Sequence, residues 1–193
     1  MITSEERQLR ELDRIVRRIA PDLPYHNQRH MREVSQASAW LARREGISQD
    51  QIYLLKTAAL LHDIYYVPRA LDNEKKSVEV AKGLLSNLHY SSKDIVAVSR
   101  LILATKMSTT PTDLLEMILC DADLEKTGTS EFFVRSELLR QEWGIAESSW
   151  HRIQGRFLAS VRYHTGSART YLLPGLQKNL RKAKYVAGGG QYG

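Results

Sequence analysis

The sequence has one cysteine and no long apolar segment, and each absence excludes a class of protein. Cys120 stands alone among 193 residues, so an intramolecular disulfide is excluded and a reducing compartment is favoured. No apolar run approaches the roughly 18 residues that cross a membrane. The N-terminal segment MITSEERQLR has no apolar signal core, which argues against secretion. We therefore expect a cytoplasmic protein without a membrane segment.

Signatures of nucleic-acid binding are also missing, although the chain is basic. The formal net charge is +6, which favours anionic partners, including phosphorylated small molecules. The sequence contains no zinc-finger spacing, no aromatic RNA-binding motif and no convincing recognition helix. Cationic residues of the first helix, such as Arg14 and Arg17, fit a solvated helical face. A helical nucleic-acid-binding domain is therefore the weakest of the functional alternatives.

The chain has no hairpin signal, internal repeat or low-complexity block, and nearly every segment carries helical signals. Capping motifs at Thr3, Ser48 and Ser91 precede apolar residues at helical spacing, and Thr110-Pro111 predicts a further helix start. The predicted helices span approximately residues 3–20, 25–44, 48–66, 72–88, 91–106, 110–126, 131–143, 147–165 and 175–186. We expect one all-α domain over residues 1–187, built from eight to nine helices, and a flexible tail over residues 188–193.

Histidine and aspartate stand where three of these helices should present apolar side chains to the core. His30, His62 and Asp121 each continue an apolar stripe at helical spacing, and Asp63 directly follows His62. Burying such groups is costly unless they are paired or bound to a metal. Because they come from distant segments, we expect separate helices to bring them together in the core of a bundle. Consecutive residues leave a helix about 100° apart, so His62 and Asp63 can share an ion only near a helix end.

These four side chains form a mixed nitrogen and oxygen donor set, which points to one divalent metal ion. Two imidazoles and two carboxylates suit Mn²⁺, Fe²⁺, Co²⁺, Ni²⁺ or Zn²⁺, and they tolerate Mg²⁺ less readily. Four ligands leave positions open for water and a substrate oxygen, so an activated water could attack a phosphoryl group. The alternative for any one member is a hydrogen-bonded core residue without a metal.

The ordered set also resembles the H…HD…D pattern of the HD-domain metal-dependent phosphohydrolases. Neighbouring segments resemble a small bacterial group of predicted HD phosphohydrolases: YHNQRH at 25–30, LLHDIY at 60–65, DNEKKS at 72–77, ATK at 104–106 and DADL at 121–124. The resemblance extends over roughly residues 21–184. It implies a helical bundle with the metal between central helices, and a phosphomonoester or phosphodiester substrate. Nucleotides are the leading substrate class by this analogy.

Two departures from the family pattern bear on the function. Related sequences often carry a histidine shortly after the Thr-Lys pair, but Met107 and Ser108 stand there in this chain. Binuclear members carry extra histidines between the HD pair and the last aspartate. Only His89 lies in that interval, so we expect a single metal ion.

Asp63, Glu74 and Lys106 are the candidates for catalysis. Glu74 lies on a predicted inward face, where it could orient water or act as general base; the alternative is a carboxylate that stabilises its helix N-terminus. Lys106 could hold a substrate phosphate, or it could complement the C-terminus of its own helix. His26 is interpreted as a neighbour of the ligands if the helix has begun there; the alternative is that Asn27 caps the helix and leaves His26 outside it. Asp123 projects about 200° from Asp121 and is interpreted as a structural hydrogen-bonding residue.

We therefore expect a metal-dependent phosphohydrolase that acts on a nucleotide or another small phosphorylated molecule. The main alternative is a non-catalytic HD module that binds metal and nucleotide as a sensor or interaction domain. The missing histidine after Lys106 favours this alternative. The sequence leaves open the exact substrate, the identity of the metal and whether the chain forms a homo-oligomer.

Overall fold

The computed structural model describes residues 3–187, and ten α-helices account for most of them. The helices are α1 (Ser4–Ile19), α2 (Gln28–Arg44), α3 (Gln49–Leu61), α4 (Asn73–Asn87), α5 (Ser92–Ala104), α6 (Leu114–Asp123), α7 (Phe132–Glu142), α8 (Glu147–Ser160), α9 (Gly166–Tyr171) and α10 (Leu173–Ala187). A short 3₁₀ segment, Glu125–Gly128, follows α6, and residues 3–187 contain no strand. The predicted all-α class is confirmed, while the tail expected over residues 188–193 lies outside the described residues.

Side-chain caps fix the helix starts that the sequence signals most clearly. The Thr3 hydroxyl accepts the Glu6 backbone N–H, and the Glu6 carboxylate accepts the Thr3 N–H, each at 3.1 Å. The Ser48 and Ser91 hydroxyls cap α3 and α5 by accepting the backbone N–H groups of Gln51 and Asp94. Each cap satisfies a backbone donor that has no partner inside the helix, which is why these starts can be predicted locally.

The start of α6 differs from the prediction at Thr110-Pro111. The helix begins at Leu114, and the Asp113 carboxylate caps it by accepting the Glu116 backbone N–H at 3.0 Å. The buried Glu116 carboxylate accepts the backbone N–H and the hydroxyl of Thr112 at 2.6 and 2.8 Å. Arg100 of α5 contacts both Asp113 and Glu116. These tertiary contacts hold the segment before Leu114 outside the helix.

Two predicted helices also end earlier than their apolar patterns suggest. The helix expected to reach residue 66 ends at Leu61, and residues 62–65 form turns. The helix expected to reach residue 165 ends at Ser160, and an extended segment then leads to the separate helix α9. If these helices continued, His62 and Thr165 would be moved away from the groups that they contact.

Helices α2, α3 and α6 form the centre of the bundle. Helix α2 packs against α3 and α6, and α3 also packs against α1 and α5. Leu41, Leu55 and Ile118 are fully buried where these helices meet. Helix α10 covers α8 and the 3₁₀ segment. Among the described residues, none of the helices has the length and apolar character needed to cross a bilayer.

Candidate metal centre

His30 enters the core from the first turn of α2. The Asn27 side chain accepts the backbone N–H groups of Arg29 and His30, so the helix begins at Gln28. This cap leaves His26 in the preceding loop and sets His30 against the other central helices, where it is 2% exposed.

His62 and Asp63 lie directly after the end of α3. The Nδ1–H of His62 donates to the carbonyl oxygen of Ala59 at 2.9 Å, because a carbonyl can only accept. In the neutral ring this bond leaves Nε2 as a free acceptor that points away from the helix. Because the chain turns at His62, the Asp63 carboxylate reaches the same point, with its Oδ2 2.9 Å from His62 Nε2.

Four ligand-type side chains meet at this point: His30, His62, Asp63 and Asp123. His62 Nε2 is 3.3 Å from His30 Nε2 and 3.4 Å from Asp123 Oδ1. His30 Nε2 is 3.1 Å from Asp123 Oδ1 and 3.4 Å from Asp63 Oδ2. These side chains are mostly buried, and helix α2, helix α6 and the turn after α3 bring them together. We call this group the cluster.

The cluster has the spacing and the chemistry of a metal site. Bonds of about 2.1 Å to one ion place adjacent ligand atoms roughly 3.0–3.4 Å apart, which matches the contacts above. Neutral imidazole Nε2 atoms facing carboxylate oxygens would be acceptors facing acceptors. A cation between them, or a proton on each ring, is needed to make this arrangement favourable. A set of two nitrogens and two oxygens fits a first-row divalent ion.

Asp121, the ligand expected from the sequence, lies apart from the cluster. Its fully buried carboxylate accepts the backbone N–H groups of His164 and Thr165 and the Thr165 hydroxyl, at 2.7–3.2 Å. Asp123 instead reaches His30 and His62, whereas the sequence suggested only a structural hydrogen bond for it. The group of residues that could hold an ion is His30, His62 and Asp123, with Asp63 in contact with both imidazoles.

Mutual attraction shifts the pKa values within the cluster. Burial alone lowers the pKa of His30, but hydrogen bonds to Asp123 and Asp63 outweigh it and leave that pKa above its ordinary value. The pKa of His62 is raised well above its usual range for similar reasons. Burial opposes the ionisation of Asp63 and Asp123, yet the His62 charge and the hydrogen bonds hold both carboxyl pKa values low. In the absence of a metal, protons on the imidazoles therefore balance the carboxylates.

An open cleft of about 570 Å³ leads to the cluster and includes one of the two predicted catalytic neighbours. Asp63 and Asp123 line it, and so does Glu74, which lies in the first turn of α4. Lys106 lies elsewhere: its Nζ donates to the carbonyl oxygen of Leu71 at 3.0 Å, and it lines an adjacent cavity that Asp123 also borders. Glu74 therefore shares a space with the cluster, whereas the Lys106 amine is turned towards the backbone.

His26 is held rigidly at the edge of the cleft by Glu142, the last residue of α7. Its Nδ1 lies 2.5 Å from Glu142 Oε1, while Glu142 Oε2 accepts the backbone N–H groups of Tyr25 and His26 at 2.9 Å. The ring stacks on Tyr66 with centroids 3.5 Å apart, and its Nε2 is 3.9 Å from Asp63 Oδ2. His26 therefore touches the cluster with an orientation fixed from two sides.

The family assignment follows from the sequence match to the region that builds this cluster. The HD domain family model matches residues 28–127, just over half of the chain. The chain belongs to the HD domain family. His30, His62, Asp63 and Asp123 all lie within the matched segment. No curated protein gives a significant match to the sequence.

Proteins from bacteria and from a choanoflagellate have solved structures with a similar fold. The Bacillus subtilis protein YpgQ in complex with ADP has a TM-score of 0.72 at 19% identity, with 97% of each chain covered. A predicted HD superfamily hydrolase from an uncultured Thermotogales bacterium has a TM-score of 0.66 at 24% identity, covering 95% of this HD protein and 94% of that chain. The phosphodiesterase domain of the RhoPDE fusion protein from the choanoflagellate Salpingoeca rosetta has a TM-score of 0.78 at 19% identity, over 95% and 84% of the two chains. At these identities the likeness shows the fold.

Sequence reasoning missed Asp123 and Glu142 for different physical reasons. Asp121 and Asp123 both lie in the last turn of α6, and a helix packed against α2, α3 and α5 has no single inward face. Only the positions of His30, His62 and Asp63 decide which carboxylate faces them. Glu142 contacts His26 across 116 residues of chain, so no local pattern connects the two.

Proposed function

We propose that this HD protein is a metal-dependent phosphohydrolase that acts on a nucleotide or a similar small phosphorylated molecule. The observation that carries the proposal is the buried cluster of two imidazoles and two carboxylates at the base of an open cleft. The proposed ligands are His30, His62, Asp63 and Asp123, with Asp123 in the place expected for Asp121. A bound divalent ion would polarise a phosphoryl oxygen and lower the pKa of a coordinated water.

The residues around the cleft have separate proposed roles. Glu74 lines the cleft and would orient the attacking water or accept its proton at a carboxylate oxygen. His26, held by Glu142 and Tyr66, would help to keep the Asp63 carboxylate in position. Asp121 fixes the segment that carries His164 and Thr165 behind α6. The phosphate-binding role of Lys106 stays a prediction, since its amine donates to Leu71 in this conformation.

Nucleotides are proposed as the substrate class on two grounds. The cleft adjoins the cluster, so the phosphate of a small ester could enter through it and reach the ion. In addition, YpgQ, which shares the fold, binds ADP in its solved structure. The net charge of +6 favours the approach of anionic substrates.

A hydrolysis screen tests the proposal directly. Purified protein is supplied separately with Mn²⁺, Co²⁺, Ni²⁺ and Mg²⁺ and assayed on phosphomonoesters, phosphodiesters and nucleoside phosphates. Asp63→Asn, prepared in parallel, should lose activity because it removes a charged ligand. Activity that survives this substitution would come from a contaminant and contradict the proposal. Calorimetric nucleotide binding without phosphate release would instead identify the non-catalytic HD module.

The role of Glu74 is tested by a conservative substitution. Glu74→Gln should retain metal binding but lose about 10²–10⁴-fold in turnover, the usual contribution of a general base.

Lys106→Ala should mainly raise the Michaelis constant if its amine turns to the substrate phosphate, and should have little effect if the bond to Leu71 persists.

A further inference from the structure

A second, more enclosed cavity lies between α7 and α8 beside the cluster and has a volume of about 170 Å³. Its wall is largely aromatic and aliphatic and includes Phe132, Leu139, Trp143, Trp150, Ile153 and Phe157. Tyr25 and Asp123 line both this cavity and the open cleft, so the two spaces adjoin at the cluster. An apolar cavity of about 150 Å³ can bind benzene, so this one is large enough for a planar aromatic ring.

Two buried side chains in the wall are hydrogen-bond donors without acceptors among the described residues. Trp150 is 4% exposed, and its Nε1 has no partner. Arg135 is also 4% exposed, and its Nε and Nη2 make no hydrogen bond, although Nη2 lies 3.1 Å from Glu33 Oε2. Indole and guanidinium N–H groups can only donate. A ligand that satisfies this wall must therefore supply acceptor atoms.

The charges around the cavity argue against a phosphate as the occupant. Glu33 balances the Arg135 guanidinium. Lys126, the other cation in the wall, lies 3.2 Å from Glu125 and 3.3 Å from Glu131. Asp123 adds negative charge on the side of the cluster. With no unbalanced positive charge and a mostly apolar wall, the cavity suits an uncharged ring.

We propose that this cavity binds the nucleobase of the substrate while its phosphate lies at the cluster. The flat aromatic walls suit a planar ring. The ring nitrogens and keto oxygens of a base can accept hydrogen bonds from Trp150 Nε1 and Arg135 Nε. The inference rests on the proposed function for the position of the phosphate. Binding of the base alone needs neither metal nor turnover, so it can be tested separately.

Titration with a nucleoside tests the cavity, because a nucleoside carries the base without a phosphate. Calorimetry of the full chain with guanosine should give saturable binding at one site, and D-ribose should give none. Trp150→Phe removes the N–H and keeps an aromatic ring, so the dissociation constant for guanosine should rise about five- to tenfold. Trp40→Phe is the matched control, since Trp40 stacks under Arg44 outside the cavity and should leave guanosine binding unchanged.

A second variant fills the cavity instead of changing its polarity. Ile153→Trp should abolish guanosine binding, with folding checked by circular dichroism; if this variant unfolds, Trp150→Phe still decides the question. Absence of guanosine binding to the wild type, or equal binding by Trp150→Phe and Trp40→Phe, would overturn the proposal. Guanosine binding without hydrolysis of any phosphoester would support the cavity and contradict only the proposed function. Nucleotide hydrolysis without guanosine binding would contradict only the cavity.

Discussion

The carboxylates of Asp121 and Asp123 face different partners, although they lie two positions apart in the last turn of α6. Asp121 accepts hydrogen bonds from the backbone N–H groups of His164 and Thr165, which ties α6 to the segment after α8. Asp123 lies 3.1 Å from His30 Nε2 inside the cluster. One residue therefore has a structural environment, and the other has the environment of a ligand.

This difference predicts opposite effects for the two substitutions. Asp123→Asn should weaken Mn²⁺ binding at least tenfold, because it removes a charged ligand. Asp121→Asn should keep Mn²⁺ affinity and lower the free energy of unfolding by about 1–3 kcal/mol, since a buried charged acceptor is lost. Calorimetry with Mn²⁺ and urea unfolding of both variants provide the measurements. If Asp121→Asn lost Mn²⁺ binding and Asp123→Asn kept it, Asp121 would be the metal ligand, as expected from the sequence.

Protonation of the imidazoles also predicts how metal binding depends on pH. The pKa values of His30 and His62 are raised in the metal-free fold. Both rings therefore stay protonated at pH values above 6.5, where an ordinary histidine loses its proton. Their contribution to metal-free stability is present at low pH and is lost as the pH rises through the raised pKa. Since metal ligation requires unprotonated Nε2 atoms, affinity should increase over the same range.

The expected result is stronger Mn²⁺ binding as pH rises from about 6.5, by up to about tenfold per unit for each proton released, with a plateau above the raised pKa values. Titration calorimetry in two buffers of different ionisation enthalpy counts the protons that leave. An affinity that does not change across this range, with no proton release, would show that the imidazoles are not ligands.

At the scale of elements, local signals predict helices better than they predict the helix ends near the site. Caps at Thr3, Ser48 and Ser91 depend on side chains within three residues and can be read from the sequence. The start of α6 combines a local cap from Asp113 with contacts from Arg100 of α5 to Asp113 and Glu116. The end of α3 at Leu61 likewise interrupts an apolar pattern. Caps and tertiary contacts together set these boundaries, so the periodicity of apolar residues alone could not give them.

The C-terminus of α7 positions the loop before α2 through one carboxylate. The Glu142 side chain is fully buried and contacts the His26 ring and two backbone N–H groups. Glu142→Gln should lower the free energy of unfolding by about 1–3 kcal/mol and reduce turnover about 10–100-fold, with metal binding retained. Glu137→Gln on the same helix alters a solvent-screened pair with Arg140 and should leave the free energy of unfolding nearly unchanged. Full turnover in folded Glu142→Gln would limit Glu142 to a structural role.

Helix α10 approaches the 3₁₀ segment so closely that only glycine fits at the contact. A Cβ on Gly175 would lie 1.9 Å from the backbone oxygen of Gly128. Gly175→Ala should therefore destabilise the fold by at least about 2 kcal/mol, because backbone must move. Gly155→Ala in α8 is the matched control: its Cβ meets nothing within 4 Å, so better helix propensity should stabilise by up to about 1 kcal/mol. Equal unfolding midpoints in urea for the two variants would contradict this packing.

At the scale of the whole molecule, the cluster joins segments that are far apart in sequence. His30 comes from α2, His62 and Asp63 follow α3, and Asp123 ends α6, so one ion would connect the three central helices. The sequence indicated His30 and His62 because each interrupts an apolar stripe on a buried helix, and it indicated Asp63 because that residue directly follows His62. It could not indicate the depth of the cleft or the cavity between α7 and α8, since both depend on how the helices pack.

An ion that is bound by residues of α2, α6 and the turn after α3 should stabilise the entire fold. An ion that binds only the native state, at 100 times its dissociation constant, adds about 2.7 kcal/mol to the free energy of unfolding. For a chain of this size, that corresponds to an increase of roughly 5–10 °C in the melting temperature. Differential scanning calorimetry with Mn²⁺, Co²⁺, Ni²⁺ and Zn²⁺, each compared with a chelator-treated sample, measures the shift. Asp63→Asn should show a much smaller shift, because the variant lacks a ligand common to every ion. A wild type whose melting temperature is unchanged by all four ions would rule out the metal centre, and equal shifts in both proteins would mean that the ions bind elsewhere.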